Sequence, residues 1–229
     1  MQAFGISMAA FILLHSGVAA TGLRSVLVRA LKEPVYRGLF SLASLALLIL
    51  AVRTYNDVRV GGENVLVWAP PSFFGHIAQT LVLLGFLVGV TGLLTPGPTL
   101  AGAEKLIERP EPATGVLRVT RHPFLWGVAL WSSGHLLANG DLASMIFFGG
   151  FLLIALAGTR SIDRKTAARD PANWARFSAA TSNAPFAAIF QKRNALKLGE
   201  MGWRLAVAIA AFVAVYLAHP SLFGVSPRL

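Results

Sequence analysis

The chain has 229 residues, 55% of them hydrophobic and only 13% charged, with a mean hydropathy of +0.64. That balance excludes an ordinary soluble domain and points to a membrane protein. Lys and Arg outnumber Asp and Glu by 20 to 10, and cysteine is absent. Disulfides, thiolate ligands and thiol nucleophiles are therefore excluded, and any metal or haem iron must be held chiefly by histidine.

Apolar runs of about the length that crosses a hydrocarbon core of roughly 30 Å lie near 3–23, 37–52, 73–94, 122–139, 142–159 and 203–219. They predict an all-α, polytopic membrane helix bundle with about six transmembrane helices, a single integral-membrane domain over 1–229. The first run lacks a basic n-region, and its positive charges follow it, so it reads as a retained helix rather than a signal peptide. With loops assigned alternately to two sides, 17 of the 20 Lys and Arg fall on one face, leaving Arg53, Arg59 and Arg228 on the other. The excess of positive charge on cytoplasmic loops then places both termini outside, on the periplasmic side of a bacterial inner membrane. The net charge of +10 is a topology signal, and no nucleic-acid partner is expected.

Gly85, Gly89 and Gly92 in the third run have small-residue spacing, which predicts close approach of a neighbouring helix. Residues 95–115 read as a Pro- and Gly-rich connector with a turn or two of helix at the membrane surface. Asn139-Gly140-Asp141 predicts a tight turn, with Asp141 or Ser144 capping the next helix, so runs four and five should form an antiparallel hairpin. Residues 160–200 open with a charged helix and continue in TSNAPFAAIFQKRNAL, which predicts an amphipathic, interfacial or re-entrant helix on the cytoplasmic side.

Segment 120–140, TRHPFLWGVALWSSGHLLANG, carries two histidines, a Ser-Ser-Gly run and an Arg start within a membrane-crossing stretch. Such groups are costly in hydrocarbon unless they face partners, water or a ligand. His122 precedes Pro123, which is preorganised for a first helical turn, so the Arg121-His122-Pro123 step also suits an interface anchor. His135 lies 13 residues later, about 220° around the helix, so His122 and His135 cannot face one site from a straight helix. His15 lies roughly 18 Å below the outer end of the first run, near mid-bilayer. His76 and His219 sit at outer helix ends in interfacial positions. No carboxylate pair falls within the membrane, so neither an acidic proton relay nor a carboxylate-bridged metal is expected.

FILLHSGVA in the first run, PVYRGLFSLASL before the second, RVTRHPFLWGVALWSSGHLLANGD in the fourth and TSNAPFAAI near 181–189 together resemble the NnrU family. Its members are bacterial inner-membrane proteins associated with denitrification and nitric oxide metabolism. The 15-cis-zeta-carotene isomerase of plants and cyanobacteria, a haem b protein whose iron is held by histidines, is similar to that family. The resemblance implies haem b as cofactor, with His15 and His122 as candidate axial ligands. His135 is then an alternative ligand or a residue supporting one. It also implies a lipid bilayer and a hydrophobic small molecule as partners. His15 and His122 can share one iron only if the fourth span starts deeper than its hydropathy indicates; otherwise His135 is next in line to pair with His15.

Arg-His-Pro-Phe-Leu-Trp-Gly is also similar to a motif of membrane methyltransferases that use S-adenosylmethionine, in which an acidic pair follows on the next helix. Here a single Asp163 stands in that region. Three readings result: a haem-binding membrane protein, a non-enzymatic membrane factor for nitrite or nitric oxide reduction, and a methyltransferase-like enzyme.

Overall fold

The computed structural model describes residues 1–19, 21–111 and 113–227, and these are all-α. Arg228, counted above on the less basic side, lies outside the described residues. Helix α1 (Gln2–Leu13) runs into a π-helical turn at Leu14–Ala19. A short α2 (Leu23–Leu31) follows, then α3 (Glu33–Val60) and α4 (Phe73–Leu93). After the connector come α5 (Pro123–Ala138) and α6 (Leu142–Arg169), α7 (Pro171–Ala180), a single turn α8 (Ala187–Phe190), and α9 (Gly202–Phe223).

Five of these elements are long and apolar enough to cross a membrane: Gln2–Ala19, α3, α4, α6 and α9. The chain is a multi-pass membrane protein, and Leu, Ile, Val and Phe side chains stand exposed along its outer surface, as lipid contact requires. The predicted fourth span is the exception. At 16 residues α5 is about 24 Å long, short for a crossing on its own. It is packed between α4 and α6 instead of facing lipid.

Close approach makes that possible. A Cβ on Gly127 of α5 would fall 2.4 Å from the Cα of Gly89 and 2.8 Å from the carbonyl oxygen of Gly85. The predicted glycine stripe of α4 therefore meets a fourth glycine, and backbone touches backbone across the interface. On the other flank α1 and α6 run parallel, with Phe4, Met8 and Phe11 buried against Ala51 and Val58 of α3 and Phe147 and Phe148 of α6.

The hairpin between α5 and α6 forms as expected. Asp141 accepts a hydrogen bond from the Ser144 amide at 2.8 Å, capping α6, and Asn64 from the α3–α4 loop donates to the same carboxylate at 2.7 Å.

Three further elements differ from the sequence expectation. Helix α6 does not end with the apolar run near 159 but spans 28 residues in all, taking in its charged half to Arg169. Nothing breaks it until Asp170, which precedes Pro171, and the residue before a proline disfavours α geometry. Asp170 then caps α7 through the Asn173 amide. Segment 181–196 forms a single helical turn at Ala187–Phe190 in place of a longer helix, because Phe186 turns at φ +63 and the remainder is loop. The stretch between the first two spans holds α2, whose Leu23, Val26, Leu27 and Leu31 recur at helical spacing with Arg24 and Arg29 between them. In the connector, 3₁₀ turns form at Glu104–Glu108 and Gly115–Arg118.

Candidate functional site

Two of the motifs singled out in the sequence lock together at the basic end of the bundle. The Arg121 amide donates to the Ser182 carbonyl at 2.9 Å and the Phe186 amide to Val119 at 2.8 Å. Thr120 Oγ1 donates to the Asn183 carbonyl at 2.7 Å. The Asn183 side chain accepts from Trp126 Nε1 at 3.2 Å and donates to Thr159 of α6 at 2.9 Å. Thr-Ser-Asn-Ala-Pro-Phe is thus a clamp that fixes where α5 begins.

Within this clamp three charged or ionisable side chains converge. His122 precedes the first turn of α5 and is only 2% exposed. Its Nε2 lies 2.6 Å from Asp163 Oδ1. Arg121 holds the same carboxylate through Nε and Nη2 at 2.8–3.0 Å and lays its guanidinium over Trp174, 5.1 Å from the ring centre. A carboxylate shared with an arginine is an acceptor, so Nε2–H of His122 donates to it. Nδ1 then carries the lone pair in the neutral ring. That nitrogen is buried and has no hydrogen-bond partner.

His15 sits elsewhere. The π-helical turn Leu14–Ala19 carries it, and single π turns inside α-helices recur at functional sites. Its Nδ1 lies 2.9 Å from the Phe11 carbonyl. A carbonyl only accepts, so Nδ1 holds the proton and Nε2 keeps its lone pair. The ring packs on Phe11 and edge-on to Phe40. It lines an apolar groove of about 410 Å³ with Phe40, Ser41, Ser44, Leu45 and Leu48 of α3. That volume lies within the usual range of small-molecule sites.

The structure does not bring His15 and His122 together. Phe11 meets Phe151 of α6, whereas His122 reaches Asp163, 12 residues further along the same helix. With His15 one turn beyond Phe11, the two imidazoles differ in level by about 12 Å. They also line separate cavities. His135 is at a third level, stacked on Phe148 with ring centres 4.5 Å apart and bonded through Nδ1 to the Trp131 carbonyl. Trp131, Phe151 and Phe11 form an aromatic wall between His135 and His15. His219 bonds the Val225 carbonyl at the opposite end of α9 from Arg204, and His76 is exposed. No cluster of three His, Asp or Glu suited to a metal ion occurs among the described residues.

These findings give the family motifs a structural meaning, and comparison with known proteins fixes the family. The family model described as NnrU protein matches residues 3–227. The chain belongs to the NnrU family. Two curated relatives of this NnrU member are named 15-cis-zeta-carotene isomerase, chloroplastic, one from Arabidopsis thaliana and one from Zea mays. Each is 28% identical over 226 residues, covering 96% of this chain and 60% of the relative. The chain therefore spans well under the full length of the curated relatives it matches. No solved structure matches it.

Asp163 and Asn183 are the site residues that sequence reasoning undervalued. Asp163 stood in a charged run read as lying beyond the membrane span, and only its place on a continuous α6 turns it toward His122. The signal available was its sole position in the region where membrane methyltransferases carry an acidic pair. Here that carboxylate is committed to Arg121 and His122.

Proposed function

We propose that this NnrU member is a haem b-binding protein of the bacterial inner membrane serving denitrification and nitric oxide metabolism, with its basic face cytoplasmic and both termini periplasmic. The observation that carries the haem reading is His15: an imidazole on a π turn, with its proton held by the Phe11 carbonyl and its Nε2 lone pair available. The groove beside it is apolar and open to a lipid-soluble ring system. In a chain without cysteine, an imidazole would be the suitable donor to such a group.

His15 is the residue that would hold the iron through Nε2, and haem, when bound, would supply a metal able to bind a diatomic such as nitric oxide. The protein's own contribution is to fix the ring of His15 through the Phe11 carbonyl, and to stack Phe11 and Phe40 against it. It also keeps water away with the leucines of α3. The names of the two plant relatives support a groove that accepts a long apolar molecule. The basic face supports the orientation through the charge rule.

The absorption spectrum of protein purified from cells supplied with haem precursors tests this reading. A Soret band is expected, and it should shift on addition of nitric oxide to the reduced form. A colourless, iron-free preparation rejects it, and co-purified S-adenosylmethionine would point to the methyltransferase-like reading instead.

A further inference from the structure

Helix α2 links the π turn to α3 and touches the bundle through these two elements. It is amphipathic, yet none of its nine residues is buried. Arg24 turns back to α3, pairing with Glu33 at 2.6 Å and lying over the Tyr36 ring. Leu23 and Val26 stand 47% and 50% exposed, and Ala30 continues their strip one turn further on. A helix lying in a membrane interface buries such a strip among acyl chains. The flanking elements put the interface at this level. Leu13 ends α1 with an exposed apolar side chain, and Val35 and Leu39 do the same at the start of α3. Lipid-facing surface therefore precedes and follows α2 in the chain.

Positive charge surrounds the strip. Among the described residues, Arg29 and Lys32 have no carboxylate partner, and neither do Arg160, Arg164 and Lys165 of α6. Lys165 donates to the Ala19 carbonyl at the end of the π turn, which brings the charged half of α6 beside the entry to α2. Glu33, the one carboxylate in the stretch from α2 to the first turn of α3, is already shared by Arg24 and Arg37. The surplus cations complement a headgroup of net negative charge. A zwitterionic headgroup brings a cation of its own. An acidic protein would match the charges, but the strip adjoins lipid-facing surface, which favours a lipid as the occupant.

We propose that α2 is an interfacial anchor selective for anionic phospholipids. Its Leu23–Val26 strip lies among the acyl chains, and Arg29 and Lys32 meet the headgroup phosphates.

Because the chain contains no cysteine, Val26→Cys gives a unique site for a bimane label on the strip. The labelled full chain is placed in nanodiscs of equimolar phosphatidylcholine and phosphatidylglycerol, with one lipid or the other brominated high in its acyl chains. Both brominated lipids should quench the label, and phosphatidylglycerol should be preferred by about fivefold or more. Arg29→Gln combined with Lys32→Gln, at exposed positions without ionic partners, should cut that preference at least about fivefold, since one cation beside an anionic surface is worth about that factor. Arg53→Gln, towards the far end of α3, should leave it unchanged. No quenching by either lipid, the result for a helix in water or under an acidic protein, would overturn the proposal. Equal quenching by the two lipids would do so too, as would a preference that survives the double substitution.

Discussion

His122 Nε2 and Asp163 Oδ1 lie 2.6 Å apart, joining the residue just ahead of α5 to the charged half of α6 across 41 residues of sequence. Both partners are largely removed from solvent, with side-chain exposures of 1% and 16%, and Arg121 at 13% completes the cluster. Removing the carboxylate strands two donors in a buried position, a loss of about 3 kcal/mol or more. Asp163→Ala should therefore lower the unfolding free energy in detergent by that order. Asp163→Asn, which still accepts one hydrogen bond, should cost clearly less. Equal and small effects of both substitutions would show that the cluster contributes little to holding α5 on α6.

Glycine substitutions should have opposite signs on two helices. At Gly127 a Cβ would strike the backbone of α4 at 2.4 Å, whereas at Gly149 of α6 nothing lies within 4 Å. Gly127→Ala should destabilise by about 3 kcal/mol, the upper range of overpacking. Gly149→Ala should stabilise by up to about 1 kcal/mol through helix propensity. Thermal unfolding of the two variants side by side checks the contrast.

Strong acid should loosen the contact that ties the connector to the turn ahead of α9. Arg118 grips Glu200 through two guanidinium nitrogens at 2.8 and 2.9 Å, and the Gly115 amide donates to the same carboxylate at 2.7 Å. The hydrogen bond from Arg118 is the main reason that the Glu200 carboxyl is lowered from 4.5 to about 2. A carboxyl with a depressed folded pKa contributes stability in full above its unfolded pKa. That contribution fades as pH falls from 4.5 to about 2. Glu200→Gln should thus be less stable than the parent at neutral pH, and the gap should close over this interval in an unfolding series. A gap that stays constant down to pH 2 would contradict the assignment.

Much of this arrangement is legible in the residues themselves. Gly85, Gly89 and Gly92 announce a close helix contact, and Asn139-Gly140-Asp141 announces the turn and cap, because both are local patterns with one mechanical meaning. The Asp163–His122 contact is not legible, since it depends on α6 continuing through Arg160, Arg164 and Lys165, charges that look like the end of a span. Hydropathy marks where a helix leaves the membrane, while the helix itself persists until Pro171 stops it. The separation of His15 from His122 is legible in outline, since depth along their runs already sets His15 near mid-bilayer and His122 at the start of the fourth run. Its size follows only from which α6 residues each one's surroundings touch.

The most direct test of the functional account is haem content per chain, measured for the parent, His15→Ala and His122→Ala after expression with haem precursors supplied. Haem held by His15 predicts a stoichiometric parent, a His15→Ala protein that folds but is nearly free of haem, and a His122→Ala protein that retains most of it. A parent without haem, or a His15→Ala protein that keeps its full complement, would contradict the account.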